Sequence, residues 1–160
     1  MGHITVDLRG PPCSCPNHGC LEAYAGGWAI ARRAQEVVVA EPQEGAALLC
    51  LAGGEARVIT AATVSRAARA GDPLARRLVQ EVAEALGAGV ASIANAFNPC
   101  LIVLGGGVTD GLPGLVDLVR QQIEARALAV ALRQLEIVRP ALGKYAGTVG
   151  AAAWARHNVE

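Results

Sequence analysis

The feature that most constrains this chain is a cluster of cysteines near its start. Cys13, Cys15 and Cys20 fall within eight residues, and His3 lies ten residues before the first of them. Three thiolates and one imidazole make a closed tetrahedral zinc site. In a reducing compartment, thiols grouped in one short loop hold a metal more often than they form disulfides. The spacing therefore predicts a structural zinc ion bound by one loop and His3.

Two other interpretations of the cysteines stay open. His18 lies between Cys15 and Cys20 and is the rival fourth ligand, although its place there would force a strained chelate ring. Alternatively, the thiols are small buried hydrophobic side chains. We interpret Cys50 and Cys100 in that second way, because each stands alone in the sequence.

The composition is typical of a single folded domain. The chain is 52% hydrophobic and 18% charged, which favours a packed core over disorder. Its 14 basic and 14 acidic residues cancel, and only 3% of residues are aromatic, so nucleic acid is not an expected partner. No apolar stretch approaches the roughly 20 residues of a membrane helix, and no secretory signal precedes residue 10. We expect a cytoplasmic protein without membrane contact.

Alternating strand and helix patterns predict an α/β fold. We expect strands at 4–8, 101–104 and 135–138, and helices at 21–39, 61–70, 74–97, about 115–130 and 146–156. Asp72 and Pro73 are typical of a helix start. The strand at 101–104 is apolar at every position, which predicts a parallel strand covered on both faces. Small residues in the last helix predict close packing against its neighbours.

The same residues carry a resemblance to a known family. The run from Cys13 to Tyr24 resembles C-x-C-G-x-x-G-C-x-E, the signature of the ROK family of bacterial repressors, uncharacterised open reading frames and sugar kinases. Gly2-His3 resembles the end of the family's E-x-G-H motif, at the expected distance from the first cysteine. Residues 98–108 are similar to the family's N-P-x-x-I-V-I-G-G-G strand and loop. The resemblance covers nearly the whole chain.

This resemblance implies a fold. The chain would be the C-terminal lobe of the actin-like ATPase, or ribonuclease H-like, fold, with a zinc-binding loop and a single domain over residues 1–160. Residues 1–22 would supply a strand and the zinc loop, and residues 23–160 the α/β core.

The resemblance also implies a sugar site. In the family the matching histidine binds zinc through one ring nitrogen and a sugar hydroxyl on the other side, which assigns both roles to His3. Glu22 would contact sugar hydroxyls, and zinc would fix the imidazole rather than act as a catalyst. The residues Gly105, Gly106 and Gly107 would lie against ATP, which the family uses with magnesium. The alternatives are an ordinary first-turn carboxylate for Glu22 and an ordinary strand-to-helix turn for the glycines.

Parts of the family's kinase machinery are not found in the sequence. No D-x-G-x-T phosphate loop and no aspartate placed as general base on the sugar can be identified, and the glutamate of E-x-G-H would precede Met1. Pro16 stands where the signature has glycine, which removes an amide donor and stiffens the loop. We therefore assign no catalytic residue. We expect the N-terminal lobe to be absent and the chain alone to be inactive.

Three functions are compatible with these features. The first is the zinc- and sugar-binding lobe of an ATP-dependent sugar kinase, glucokinase-like, acting on a hexose or an N-acetylhexosamine. The second is the sugar-sensing domain of a ROK transcriptional repressor. The third is a non-catalytic, zinc-stabilised module that dimerises through the small-residue faces at 87–91 and 147–153. Apolar surface left by the absent lobe predicts a homodimer or a higher assembly.

Overall fold

The computed structural model describes residues 1–158, except for the side chain of Lys144. Residues 159 and 160, the end of the predicted domain, lie outside it. The elements in chain order are α1 (Glu22–Ala25), α2 (Gly27–Ala40), α3 (Ala46–Leu51), α4 (Ala61–Arg69), α5 (Pro73–Phe97), β1 (Leu101–Val103), α6 (Gly107–Gly111), α7 (Leu115–Glu124), α8 (Ala129–Leu132), β2 (Glu136–Val138) and α9 (Ala146–His157). Mixed α/β structure is confirmed, and most of it is helical. Within the described chain, no helix is both long enough and apolar enough to cross a membrane.

Helix α5 is the centre of the core and begins where the sequence predicts. Asp72 accepts a hydrogen bond from the amide of Ala75 at 2.8 Å, and Pro73 occupies the first turn. Asn98, with φ of 46°, ends the helix. The largest fully buried side chains come from the helices, the loop before α4 and the cysteine segment (residues 13–20): Ile30, Leu48, Ile59, Leu78, Leu115, Ile123, Val38, Val64, Val119 and Cys20.

Small residues let other segments approach α5 closely. A Cβ at Gly87 would lie 2.2 Å from Cβ of Gln122 on α7, which is closer than two such atoms can come. A Cβ at Gly89 would lie 3.0 Å from Leu21 and 3.3 Å from Ile4. Gly87 and Gly89, on the small-residue face at 87–91, are therefore covered by other segments of the same chain. They are not available for the expected dimer contact.

Strands β1 and β2 form a two-stranded parallel sheet, in which Ile102 lies opposite Ile137. The predicted parallel strand is confirmed. Ile102 and Leu104 pack against the core, whereas Leu101 and Val103 are 49% and 52% exposed. The prediction that both faces are covered is wrong for residues 1–158, because only one face of the strand packs against the helices.

The predicted strand at 4–8 is wrong. This segment forms one isolated antiparallel bridge, from Thr5 to Cys20, and a second bridge joins Pro12 to His18 further along the chain. Leu8 is 90% exposed. The backbone turns because the amide of Gly10 donates to the carbonyl oxygen of Asp7 at 3.2 Å.

Two predicted helices are broken. The helix expected at 21–39 divides at Gly26, which is extended, with ψ of 146°. The helix expected to reach residue 130 ends at Glu124, after which the amide of Leu128 donates to the side chain of Asn95 at 2.8 Å. That hydrogen bond holds the chain against α5 and takes the place of a further backbone hydrogen bond of the helix. The short helices α3 and α6 lack a clear sequence periodicity and were not predicted.

The last helix has the predicted bounds to within one residue, but its predicted packing is wrong. None of the residues of α9 is buried. A Cβ at Gly147 or Gly150 would meet no other atom within 4 Å. Val149 and Trp154 are 45% and 70% exposed. The small side chains of α9 therefore face solvent in this chain.

We expect Gly87→Ala to lower the free energy of unfolding by about 1–3 kcal/mol, because the added methyl overpacks the contact between α5 and α7. The matched control is Gly150→Ala on α9, where the methyl meets no neighbour. This control should change stability by no more than the gain of up to about 1 kcal/mol that alanine gives over glycine in a helix. Urea denaturation measures both. Equal stability of the two variants would contradict the close approach at Gly87.

Candidate metal centre

The metal centre is built from two backbone segments that lie side by side. The carbonyl oxygens of Gly2 and Ile4 accept hydrogen bonds from the amides of Glu22 and Leu21, at 2.8 and 2.9 Å. His3 lies between these two contacts. This pairing brings its imidazole to the end of the cysteine segment and to the start of α1.

Gly19 is required for this approach. Its carbonyl oxygen accepts from the amide of Val6 at 2.8 Å, and its own amide donates to Pro11 at 2.8 Å. Its φ is +63°, and a Cβ would lie 1.6 Å from the carbonyl oxygen of Asp7. No residue with a side chain fits there without moving the backbone.

Four side chains meet at this point: those of His3, Cys13, Cys15 and Cys20 lie with their donor atoms within 4.8 Å of one another. The Sγ atoms of Cys15 and Cys20 are 3.6 Å apart, and Sγ of Cys13 is 3.6 Å from Nδ1 of His3. Zinc–sulfur bonds of about 2.3 Å place tetrahedral ligands about 3.8 Å apart. The donor set and its spacing fit zinc, and the cluster could hold a metal ion.

The structure bears on two questions about the loop: whether His3 or His18 completes the cluster, and whether Pro16 is compatible with it. His18 is exposed, and within residues 1–158 the cluster includes His3 and not His18. The loop also closes around Pro16, because the amide of Cys13 donates to the carbonyl oxygen of Asn17 at 3.0 Å. Proline in place of glycine is therefore compatible with the cluster.

The metal-free thiols differ in acidity. A hydrogen bond from the backbone amide of Cys15, together with the nearby His3, lowers the pKa of Cys13 to about 6. Burial, reinforced by the neighbouring thiols, raises the pKa of Cys20 to about 12. Because metals bind thiolates, ionisation of Cys20 on binding must release a proton at neutral pH.

A carboxylate adjoins the cluster on the far side of the imidazole. Nδ1 of His3 faces Cys13, whereas Nε2 lies 3.5 Å from Oε2 of Glu22. The other oxygen of Glu22, Oε1, accepts from the indole Nε1 of Trp28 at 3.3 Å. The sequence motif includes Glu22 but not Trp28. The only local signal for Trp28 is its position just after the Gly26-Gly27 break.

The three glycines expected to lie against ATP form an exposed loop at the carboxyl end of β1. A Cβ at Gly105 would lie 2.7 Å from Pro140, and Gly106 has φ of +114°. Ligands of open α/β sheets bind at the carboxyl ends of parallel strands. Gly105 is packed against Pro140, whereas a Cβ at Gly106 or Gly107 would meet no atom within 4 Å.

Tyr24 links α1 to the turn before the cysteines. Its hydroxyl donates to Oδ2 of Asp7 at 2.7 Å, beside a cavity of about 610 Å³ that is lined by Val6, Asp7, Pro11 and by α1, α2 and α5. This hydrogen bond, together with one from the amide of Arg9, lowers the pKa of Asp7. Burial and the neighbouring carboxylate raise the pKa of Tyr24 to about 12.

The structure is a mixed α/β fold with a cluster of three cysteines and one histidine that could hold a metal ion. The model of the ROK family matches residues 1–158. The chain belongs to the ROK family, as its motifs predict.

Relatives of two kinds match the chain. A glucokinase from Streptomyces coelicolor is 35% identical over 98% of this chain and 50% of the relative. The DNA-binding transcriptional dual regulator NagC from Escherichia coli K12 is 33% identical over 89% of this chain and 33% of the relative. The crystal structure of a ROK family glucokinase from Streptomyces griseus, in complex with glucose and AMPPNP, superposes with a TM-score of 0.84 and 38% identity, covering 98% of this chain and 51% of that one. The chain thus spans about half the length of the glucokinases it matches.

We expect one zinc ion per chain, retained in Cys50→Ala and lost in His3→Ala and Cys15→Ala. Loss of an outer-shell partner costs 10- to 100-fold in metal affinity, so loss of a ligand should cost more than about 100-fold. Elemental analysis after gel filtration measures the metal. Cys50 is the matched control because its thiol is outside the cluster and exposed. The prediction that Cys50 and Cys100 are buried is wrong, since both are exposed. A metal-free unmodified chain with reactive thiols would rule out the zinc site.

We expect Tyr24→Phe to destabilise the chain most at intermediate pH. The lowered pKa of Asp7 stabilises the fold above its ordinary value of 3.8, and this contribution disappears as the pH falls through the folded value. The raised pKa of Tyr24 stabilises the fold below 10.0, and this contribution disappears as the pH rises through about 12. The stability difference between the variant and the unmodified chain should therefore shrink in both acid and alkali, in urea denaturation of the metal-free proteins. A difference that does not vary with pH would contradict the hydrogen bond.

Proposed function

We propose that this chain is the zinc- and sugar-binding lobe of a ROK-family, ATP-dependent sugar kinase of the glucokinase type. Its substrate would be a hexose or an N-acetylhexosamine. The glucokinase relatives, and the glucose in the superposed Streptomyces griseus structure, support this substrate class.

One observation carries the proposal. The single imidazole of His3 faces the thiols with Nδ1 and a carboxylate with Nε2, at 3.6 and 3.5 Å. Zinc, when bound by His3, Cys13, Cys15 and Cys20, would supply a fixed positive centre that sets the orientation of the ring. If Nδ1 bound the metal, the ring proton would be on Nε2, and His3 would be a fixed hydrogen-bond donor. Glu22 beside it accepts hydrogen bonds. A donor and an acceptor at one point match the hydroxyl groups of a sugar.

Phosphoryl transfer itself would need the rest of a longer protein. The exposed glycines at 105–107 would lie against the nucleotide, whose phosphates bind magnesium in the kinases of the family. We found no phosphate loop and no general base in these residues, and the chain spans about half of its glucokinase relatives. The proposal is therefore sugar binding by this chain, with phosphoryl transfer only in the presence of the complementary lobe.

A ROK regulator is the second candidate, because NagC matches 89% of the chain with 33% identity. In that case the same His3 and Glu22 would sense a sugar without phosphorylating it. Thermal-shift titration with AMPPNP separates the candidates. Stabilisation by the nucleotide favours the kinase, and sugar binding without a nucleotide response favours the regulator.

We expect Glu22→Gln to weaken the binding of glucose or N-acetylglucosamine by ~10- to 100-fold, because hydrogen bonds to a charged acceptor are worth about 1.5–3 kcal/mol. Isothermal titration of the zinc-loaded chain measures the affinity, and elemental analysis checks that zinc is retained.

The matched control is Glu44→Gln, since the Glu44 carboxylate is paired with Arg77 on the surface, away from the cluster. It should leave sugar affinity unchanged. A zinc-loaded chain that binds neither sugar, or a Glu22→Gln variant that binds as tightly as the unmodified chain, would contradict the proposed site.

A further inference from the structure

We infer that Trp28 is a positioning residue for Glu22, and thereby for the sugar. This inference rests on the proposed sugar-binding function. The indole Nε1 donates to Oε1 of Glu22 at 3.3 Å, while Nε2 of His3 lies 3.5 Å from Oε2 of the same carboxylate. The indole thus holds the carboxylate at Oε1, while the imidazole lies beside Oε2.

Holding it in this way leaves acceptor positions free. Each carboxylate oxygen has two lone pairs, and the indole of Trp28 uses one of those on Oε1. The Glu22 side chain is 36% exposed, so its remaining lone pairs are open to a ligand. A depression of about 430 Å³ adjoins it, lined by Pro12, Cys13, Ser14, Glu22, Trp28 and Arg32.

The indole is itself held in place. Gly26 has no side chain, and a Cβ there would lie 3.1 Å from Nε1 of Trp28 and 2.6 Å from the carbonyl oxygen of Glu22. The break between α1 and α2 therefore leaves room for the indole to reach back to the carboxylate. On the same helix the guanidinium of Arg32 lies 5.1 Å from the centroid of the indole ring.

Arg32 connects this contact to the metal loop. Its Nη1 donates to the carbonyl oxygen of Pro12 at 3.3 Å, and Pro12 directly precedes the ligand Cys13. The loop, Arg32, Trp28, Glu22 and His3 thus form a closed ring of contacts around the site. Within this ring Trp28 donates to the carboxylate of Glu22 and is not one of the four residues of the cluster, so its role can be tested with the metal site intact.

The test replaces the indole by a ring that lacks the N–H. In Trp28→Phe the stacking with Arg32 remains and the donor to Glu22 is lost. We expect glucose affinity to fall about 3- to 10-fold, as for one hydrogen bond, with one zinc per chain retained. Trp154→Phe is the matched control, because Trp154 is 70% exposed on α9, and it should bind glucose as the unmodified chain does.

A spectroscopic readout reports the contact without sugar. In ¹⁵N-labelled Trp154→Phe, Trp28 supplies the single indole N–H resonance, since the chain has two tryptophans. Adding Glu22→Ala should move that proton upfield, because its charged acceptor is removed. Adding Glu44→Ala instead should leave it in place. A purely structural tryptophan would not respond to the Glu22 substitution.

The outcomes separate the two proposals. If the zinc-loaded, unmodified chain binds no sugar, the proposed function fails, and the indole resonance still decides whether Trp28 holds Glu22. If sugar binds but Trp28→Phe has the affinity of Trp154→Phe, positioning by Trp28 is wrong. An indole resonance unmoved by Glu22→Ala overturns it as well.

Discussion

The site depends on a backbone contact at Gly19. Its positive φ and missing side chain allow the cysteine segment to lie against the turn at Asp7, where a Cβ would be only 1.6 Å from a carbonyl oxygen. That approach sets the hydrogen bonds between residues 2–6 and 19–22. These hydrogen bonds place His3 beside both Cys13 and Glu22. The metal cluster and the carboxylate beside it are therefore consequences of one tight backbone crossing.

The two crossing segments, residues 2–6 and 19–22, pack against the core. Leu21 and Ile4 come from the two paired segments, and both rest on α5 at Gly89. Cys20 is fully buried at the same place. Helix α5, the longest helix described, packs in turn against α7 through Gly87, so the cysteine segment rests on the centre of the core. Two segments without regular secondary structure can then bring four donor atoms within 4.8 Å of one another.

The surface formed by β1 and α9 is less covered. A two-stranded sheet is marginal by itself, and here Ile102 and Ile137 stabilise it by packing on one side against the core. The outer face of β1 and all of α9 carry exposed apolar side chains, including Val103 and Trp154. The glucokinases that match this chain are about twice as long. The incompletely packed surface and the loop at Gly105 both adjoin β1. The cluster that could hold a metal is built entirely from residues 3–20.

The sequence by itself determined the parts that depend on near neighbours. The cysteine spacing identified all the members of the cluster, Asp72 and Pro73 fixed the start of α5, and the apolar run at 101–104 gave a parallel strand. Such features need only local chemistry and a periodic pattern.

Only the tertiary structure decided which groups meet across breaks in that pattern. The alternation at 4–8 predicted a strand, but Leu8 lies in solvent because the chain turns at Asp7. The contact of Trp28 with Glu22 crosses the break at Gly26, and no helical spacing encodes it. The close packing expected of α9 did not follow from its small side chains, since packing depends on what lies opposite a helix as much as on the helix itself. Contacts between distant segments, and the surfaces left without them, are set by the path of the whole backbone.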